Sequence, residues 1–129
     1  MDSIFTKIIK GEIPCYKVDE NEKFIAFLDI NPLAKGHTLV VPKQQVDKIW
    51  DINDPLYTEM WHYAKTISRK IEKAISCNRV GVLVEGLEVP HAHIHLIPLQ
   101  DNGFNFVKNK LSLSKEEFEN TAQQIRSAI

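Results

Sequence analysis

Residues 91–98 read HAHIHLIP, so three of the chain's five histidines alternate there with apolar residues. Alternate residues of a β-strand point to the same side, which would put His91, His93 and His95 on one face and Ala92, Ile94 and Leu96 on the other. The apolar half reads as core, packed under a helix. Three uses compete for the histidine half. It can be an exposed strand face that carries histidines. It can be a metal site, because neutral imidazoles are good zinc ligands. Same-face neighbours ~6.6 Å apart, however, let two of them grip an ion more readily than three. Or it can be an anion site with a nucleophile inside, where one imidazole attacks phosphorus while its neighbours stabilise the negative charge.

Something must hold that strand. With 129 residues, 43% of them hydrophobic and 26% charged, the chain is long enough for one domain spanning 1–129 with its own core. It shows no repeat, low-complexity tract or Gly/Ser linker. Ile4, Phe5, Ile8 and Ile9 fall at helical spacing, and Gly11 and Pro14 end that short helix. KFIAFLDI (23–30) and HTLVVP (37–42) read as strands joined by the turn NPLAKG. The segment 54–76 predicts a long helix, with Asp54 as N-cap and Pro55 at the first helical position. Its apolar stripe is Leu56, Met60, Ala64, Ile67, Ile71, Ala74 and Ile75. RVGVLVE (79–85) is a further strand, and HAHIHLIP follows it after GLEVP. Ser114 with Glu117 forms a capping-box pattern ahead of a last helix, whose apolar face is Phe118, Ala122, Ile125 and Ile129. The order is strands, long helix, strands, helix. It predicts an α+β fold with a mostly antiparallel sheet, one long central helix and a C-terminal helix.

The formal charge of −1, with no run of Lys and Arg longer than two, argues against a nonspecific nucleic-acid surface. The N-terminal residues have no apolar core of signal-peptide length, and no stretch approaches the ~20 apolar residues that span a bilayer. Cys15 and Cys77 belong to no C-x-x-C pair and read as two thiols of a reducing compartment. The expectation is a cytoplasmic protein with no membrane and no nucleic-acid partner.

HAHIHLI matches the pattern His-φ-His-φ-His-φ-φ, with φ apolar. Together with SIFTKIIKGEIP and FIAFLDINPLAKGHTLVVPK, in that order and at similar separations, it makes the chain resemble the histidine triad (HIT) nucleotide-binding family. The resemblance implies that His93 takes the nucleotidyl group, that His95 contacts the phosphate and assists the leaving group, and that His91 supports His93. It adds His37 as a fourth histidine of the site. It assigns Asp29 to the ribose hydroxyls, although an Asp before Asn31-Pro32 also reads as a turn initiator. Ile4, Phe5, Ile8, Phe27 and Ile30 map to the apolar slot for the base, and the same residues would equally serve as core.

The implied activity is hydrolysis or transfer at the α-phosphate of nucleoside phosphoramidates or dinucleoside polyphosphates, with a purine nucleotide as ligand and a homodimer as assembly. A nucleotide-binding module with little turnover is the alternative. Two departures stand out. Zinc-binding members carry cysteines and a further histidine where this chain has Ser3, Thr6 and Gln45, so no metal and no cofactor is expected. Leu87-Glu88 stands where the family usually has a polar pair. If Glu88 points into the cleft, it opposes the phosphate and holds a neighbouring imidazole protonated; if it faces water, it is a surface turn residue.

Overall fold

The computed structural model describes residues 1–101, 103–104 and 111–128. Helix α1 (Ile4–Ile9) is capped by Ser3, whose side chain accepts from the Thr6 amide. Five strands follow: β1 (Lys17–Glu20), β2 (Phe24–Leu28), β3 (Thr38–Pro42), β4 (Arg79–Leu83) and β5 (Ile94–Leu99). Between β3 and β4 come a 3₁₀ turn at Ile49–Asp51 and the long helix α2 (Leu56–Ala74), and α3 (Lys115–Ser127) ends the chain. The strands make one antiparallel sheet in the order β1-β2-β3-β5-β4. The α+β architecture is the expected one. Among the described residues no helix is long and apolar enough to cross a membrane.

Every residue of β2 and β3 is buried, because each face of the sheet has its own cover. Phe24, Ala26, Leu28, Val40, Ile94 and Leu96 pack with Met60, Ile67 and Ile71 of α2 and with Phe118 and Ile125 of α3. Ile25, Phe27, Leu39 and Val41 point the other way and pack with Phe5 of α1. Full burial of one such side chain stabilises the fold by roughly 1.5–3 kcal/mol, and the alternation lets a single strand contribute to two layers.

Two expectations need correction, and further features had no pattern in the sequence. The triad strand begins at Ile94, because the His91 amide bonds the Val89 carbonyl in a tight turn and the Ala92 amide bonds Val46, which takes these residues out of the β3 ladder. Asp54 does not cap α2: the cap position is Pro55, and the Asp54 carboxylate accepts from the Thr58 hydroxyl instead. Strand β1 and the 3₁₀ turn have no pattern of their own. KVDE lacks a clean alternation and becomes a strand by pairing with β2 under α3. Tyr63 of α2 is buried, stacks on Phe24 and donates to Asp19 at 2.7 Å. The capping box at Ser114 and Glu117 forms as expected; Ile129 lies outside the described residues.

Candidate active site

Parity along three strands gathers the polar residues. Counting in twos from the α1-facing positions Phe27, Leu39 and Leu39's neighbour across the ladder, His95, leads to Asp29 at the end of β2, to His37 at the start of β3 and to His93 just ahead of β5. The turn 29–37 returns tightly enough to bring two of these together. The Asp29 amide bonds the His37 carbonyl, the His37 amide bonds Ala34, and Gly36 takes φ +91°, where a Cβ would also press on Ile75 at 3.0 Å.

The result is a cleft of about 640 Å³ on the α1 side of the sheet. Ile4, Ile8 and Ile30 form apolar walls, with Phe5 and Phe27 buried beneath them; Ile4 and Ile30 are largely exposed. The isoleucines thus line the cleft, while the phenylalanines pack beneath it as core. Asp29, His37, His93, His95, Glu85 and Glu88 also line the cleft. His91 does not. It is fully buried behind His93, and the Phe5 ring stands edge-on to both imidazoles, at 4.9 Å from His93 and 5.8 Å from His91.

Hydrogen bonds assign a proton position to every one of these imidazoles. The Pro42 carbonyl can only accept, so His91 carries its proton on Nε2 (2.7 Å) and its Nδ1 accepts from the Ser3 hydroxyl (2.7 Å). The His91 carbonyl in turn accepts from His93 Nδ1–H at 2.7 Å, which leaves the lone pair of His93 on Nε2. The Leu33 amide donates to His37 Nδ1 (3.0 Å), so His37 donates from Nε2 to His95 Nδ1 (2.9 Å), and the His95 proton sits on Nε2. One imidazole thus offers a lone pair and its neighbour, with ring centroids 4.9 Å apart, offers an N–H donor. Burial lowers the pKa of His93, opposed by its bond to the His91 carbonyl and by the carboxylates of Asp29, Glu88 and Glu85. Burial also lowers that of His91. Both are held in the neutral form that these tautomers require.

Asp29 initiates the turn and also reaches the cleft. Its Oδ1 accepts from the Asn31 amide at 2.8 Å, initiating the turn, and its Oδ2 lies in the cleft 3.6 Å from His37 Nε2. Sequence reasoning had no means of finding the Pro42 and His91 carbonyls or the Leu33 amide. They act through the backbone, and residue type carries no signal of that.

Two arrangements could be mistaken for metal centres. Asp29, His37 and His95 each place a ligand atom within 4.8 Å of the others. The Leu33 amide, however, keeps the His37 proton on Nε2, where a metal would need a lone pair. The second is the cluster of Ser3, Thr6, Gln45 and His91. The Thr6 hydroxyl and the Ser3 amide both donate to Gln45 Oε1, at 2.6 and 2.8 Å, and Ser3 bonds His91. Two hydroxyls and an amide offer no thiolate or second imidazole, and they satisfy one another, so the donor set does not fit zinc. Protein purified without added metal is expected to hold well under 0.1 zinc per chain by elemental analysis, about one per chain being the contrary result.

The five-stranded antiparallel sheet with its helices matches the α+β fold of histidine triad proteins. The HIT domain model matches residues 10–102, and the chain belongs to the HIT family, in its Hint-like branch. It is 39% identical to an uncharacterised HIT-like protein of Borreliella burgdorferi over 137 aligned positions, covering 99% of each chain. It is 35% identical to the adenosine 5′-monophosphoramidase of Schizosaccharomyces pombe, covering all of this chain and 99% of that one. Among solved structures, a HIT-like protein from Bartonella henselae superposes with a TM-score of 0.87 at 31% identity, covering 99% of this chain and 96% of that one. A zinc-bound histidine triad family protein from Mycobacterium smegmatis gives 0.81 at 25% identity, covering 98% of this chain and 92% of that one.

Proposed function

We propose that this chain is a nucleotide hydrolase or transferase that acts on the α-phosphate of nucleoside phosphoramidates through a nucleotidyl-histidine intermediate. The observation that carries the reading is the His93 Nε2 lone pair, held in the cleft by the bond from Nδ1–H to the His91 carbonyl. Lone-pair attack from Nε2 on phosphorus forms a P–N bond while the bond to the leaving amine breaks. The amine departs with its electron pair and takes a proton from solvent. Water then adds to phosphorus, the bond to His93 breaks, and a nucleoside monophosphate and one proton are released. His95 Nε2–H stabilises the charge that gathers on the phosphoryl oxygens, and His37 holds His95 in the tautomer that donates. Asp29 accepts hydrogen bonds from the ribose hydroxyls, and the isoleucine walls hold a purine. Kinship to adenosine 5′-monophosphoramidases supports the substrate class.

Incubation with an adenosine 5′-phosphoramidate should release AMP, and release should survive strong chelators. A nucleotide-binding module with little turnover is the second reading. Leu87, 85% exposed, and Glu88 occupy the place of the family's polar pair and favour it. Tight AMP binding with no release above background would establish it.

The assembly we propose is a homodimer joined through β4. This strand is an edge of the sheet, and Val82 and Val84 on and beside it are 48% and 36% exposed. On α2, the buried indole Nε1 of Trp61 has no hydrogen-bond partner among the described residues. Pairing two β4 edges would cover the open ladder and the exposed valines. Light scattering at micromolar concentration should give twice the chain mass of 14.8 kDa. A monomer would contradict the proposal.

A further inference from the structure

The cleft has an unusual charge inventory for one that would receive a phosphate ester. Among the described residues no lysine or arginine lines it. Its formally charged described residues are Asp29, Glu85 and Glu88, all acidic. Among the described residues histidines are its only possible cations, and burial holds His93 toward neutrality. A site built for a polyphosphate would place fixed cations beside the chain of phosphates.

Topology decides where the two glutamates stand. Leu83 lies opposite His95 in the β4–β5 ladder, so the chain that leaves β4 passes directly over the end of the site. Gly86, at φ +81°, turns it there, and Glu85, Leu87 and Glu88 form a lip beside His93. Asp29 sits at the end of β2, near the turn 29–37, so the lip and the ribose side of the cleft are contributed by different parts of the fold. Neither glutamate makes an ion pair among the described residues, although the surface elsewhere pairs acids with lysines, as at Lys43–Glu20. Two carboxylates with no ion-pair partner among the described residues thus stand on the lip of the cleft beside His93.

We infer that Glu85 and Glu88 are specificity-determining residues that select phosphoramidates whose leaving amine carries a second, positively charged group, and that reject polyphosphate leaving groups. The inference rests on the nucleotidyl-transfer reading above and narrows it to one substrate class. A cation on the leaving group would lie against the lip. A pyrophosphate or longer chain would meet two like charges, with no lysine or arginine among the described lining residues to offset them. The electrostatics act across water, so the preference weakens with salt.

The test uses three adenosine 5′-phosphoramidates with the same short alkyl linker, ending in a trimethylammonium, a tert-butyl or a carboxylate group. For the wild type at low ionic strength, kcat/KM should fall in that order, with the cationic compound favoured over the anionic one by about tenfold or more, and added salt should narrow the gap. In the double variant Glu85→Gln, Glu88→Gln, which keeps side-chain size, the ratio should collapse to about threefold or less. Equal rates for the three compounds with the wild type, or an unchanged ratio in the variant, would overturn the inference. Calorimetric binding of the same compounds separates the two readings. Binding in the expected order without hydrolysis refutes the hydrolase and keeps the selectivity, whereas hydrolysis without any order does the reverse. Failure to bind any of them overturns both.

Discussion

Replacing His93 with alanine is expected to abolish turnover, lowering kcat by about 10⁴-fold or more, while nucleotide affinity stays within about tenfold. Removing a covalent nucleophile leaves no comparable route. The neighbours cannot substitute, because the His91 Nδ1 lone pair is occupied by the Ser3 hydroxyl behind the cleft and His95 Nδ1 accepts from His37. The apolar walls and Asp29 that would hold the nucleotide are untouched by the change. A mass increase of one nucleotidyl group on wild-type protein quenched during turnover, absent from the variant, would identify the intermediate. Appreciable turnover by clean variant protein would remove His93 from this role. The same side chain sets a pH signature. Burial lowers its pKa, so the neutral, attacking form persists as pH falls below the ordinary imidazole value of 6.5. The acid limb of kcat/KM should therefore lie below 6.5, and a limb well above it would contradict the buried, neutral nucleophile.

Asp29→Ala is expected to weaken AMP binding by about thirtyfold, equal to roughly 2 kcal/mol for two charge-assisted hydrogen bonds to the ribose. The carboxylate also builds the turn, since Oδ1 holds the Asn31 amide and the turn delivers His37. A 2′,3′-dideoxy nucleotide separates these duties. If the ribose contact is what is lost, the dideoxy compound should bind wild type and variant alike. If the turn has collapsed, both nucleotides should weaken together. Asp29→Asn keeps an oxygen for the Asn31 amide and loses the charge, so it should show an intermediate loss confined to the ribonucleotide. Equal affinity of wild type and Asp29→Ala for AMP, measured by calorimetry, would remove the residue from the binding site.

Local pattern made much of this protein legible. The i, i+3, i+4 stripe from Met60 to Ile75 forecasts the face of α2 that meets the sheet, because a helix of 3.6 residues per turn can bury only such a stripe. The Ser114–Glu117 capping box marks the start of α3 through groups three residues apart. Period-two alternation places Ile94 and Leu96 toward α2 and His93 and His95 away from it, even though the strand itself begins only at Ile94. Where the pattern was weak, as in KVDE, the element depends on pairing partners that lie elsewhere in the chain.

The chemistry of the site was legible only as a list of residue types. Which nitrogen of each histidine bears the proton depends on the carbonyls of Pro42 and His91 and on the amide of Leu33. Those groups belong to the backbone that every residue shares, and the Pro42 carbonyl lies 49 residues from the histidine it bonds. Glu85 and Glu88 become part of the cleft because Leu83 pairs with His95 across the ladder. Alternation and stripes are properties of neighbouring residues, so composition and spacing carry them. A tautomer, or a carboxylate's distance from a phosphate, is fixed by groups that meet only after the sheet has closed.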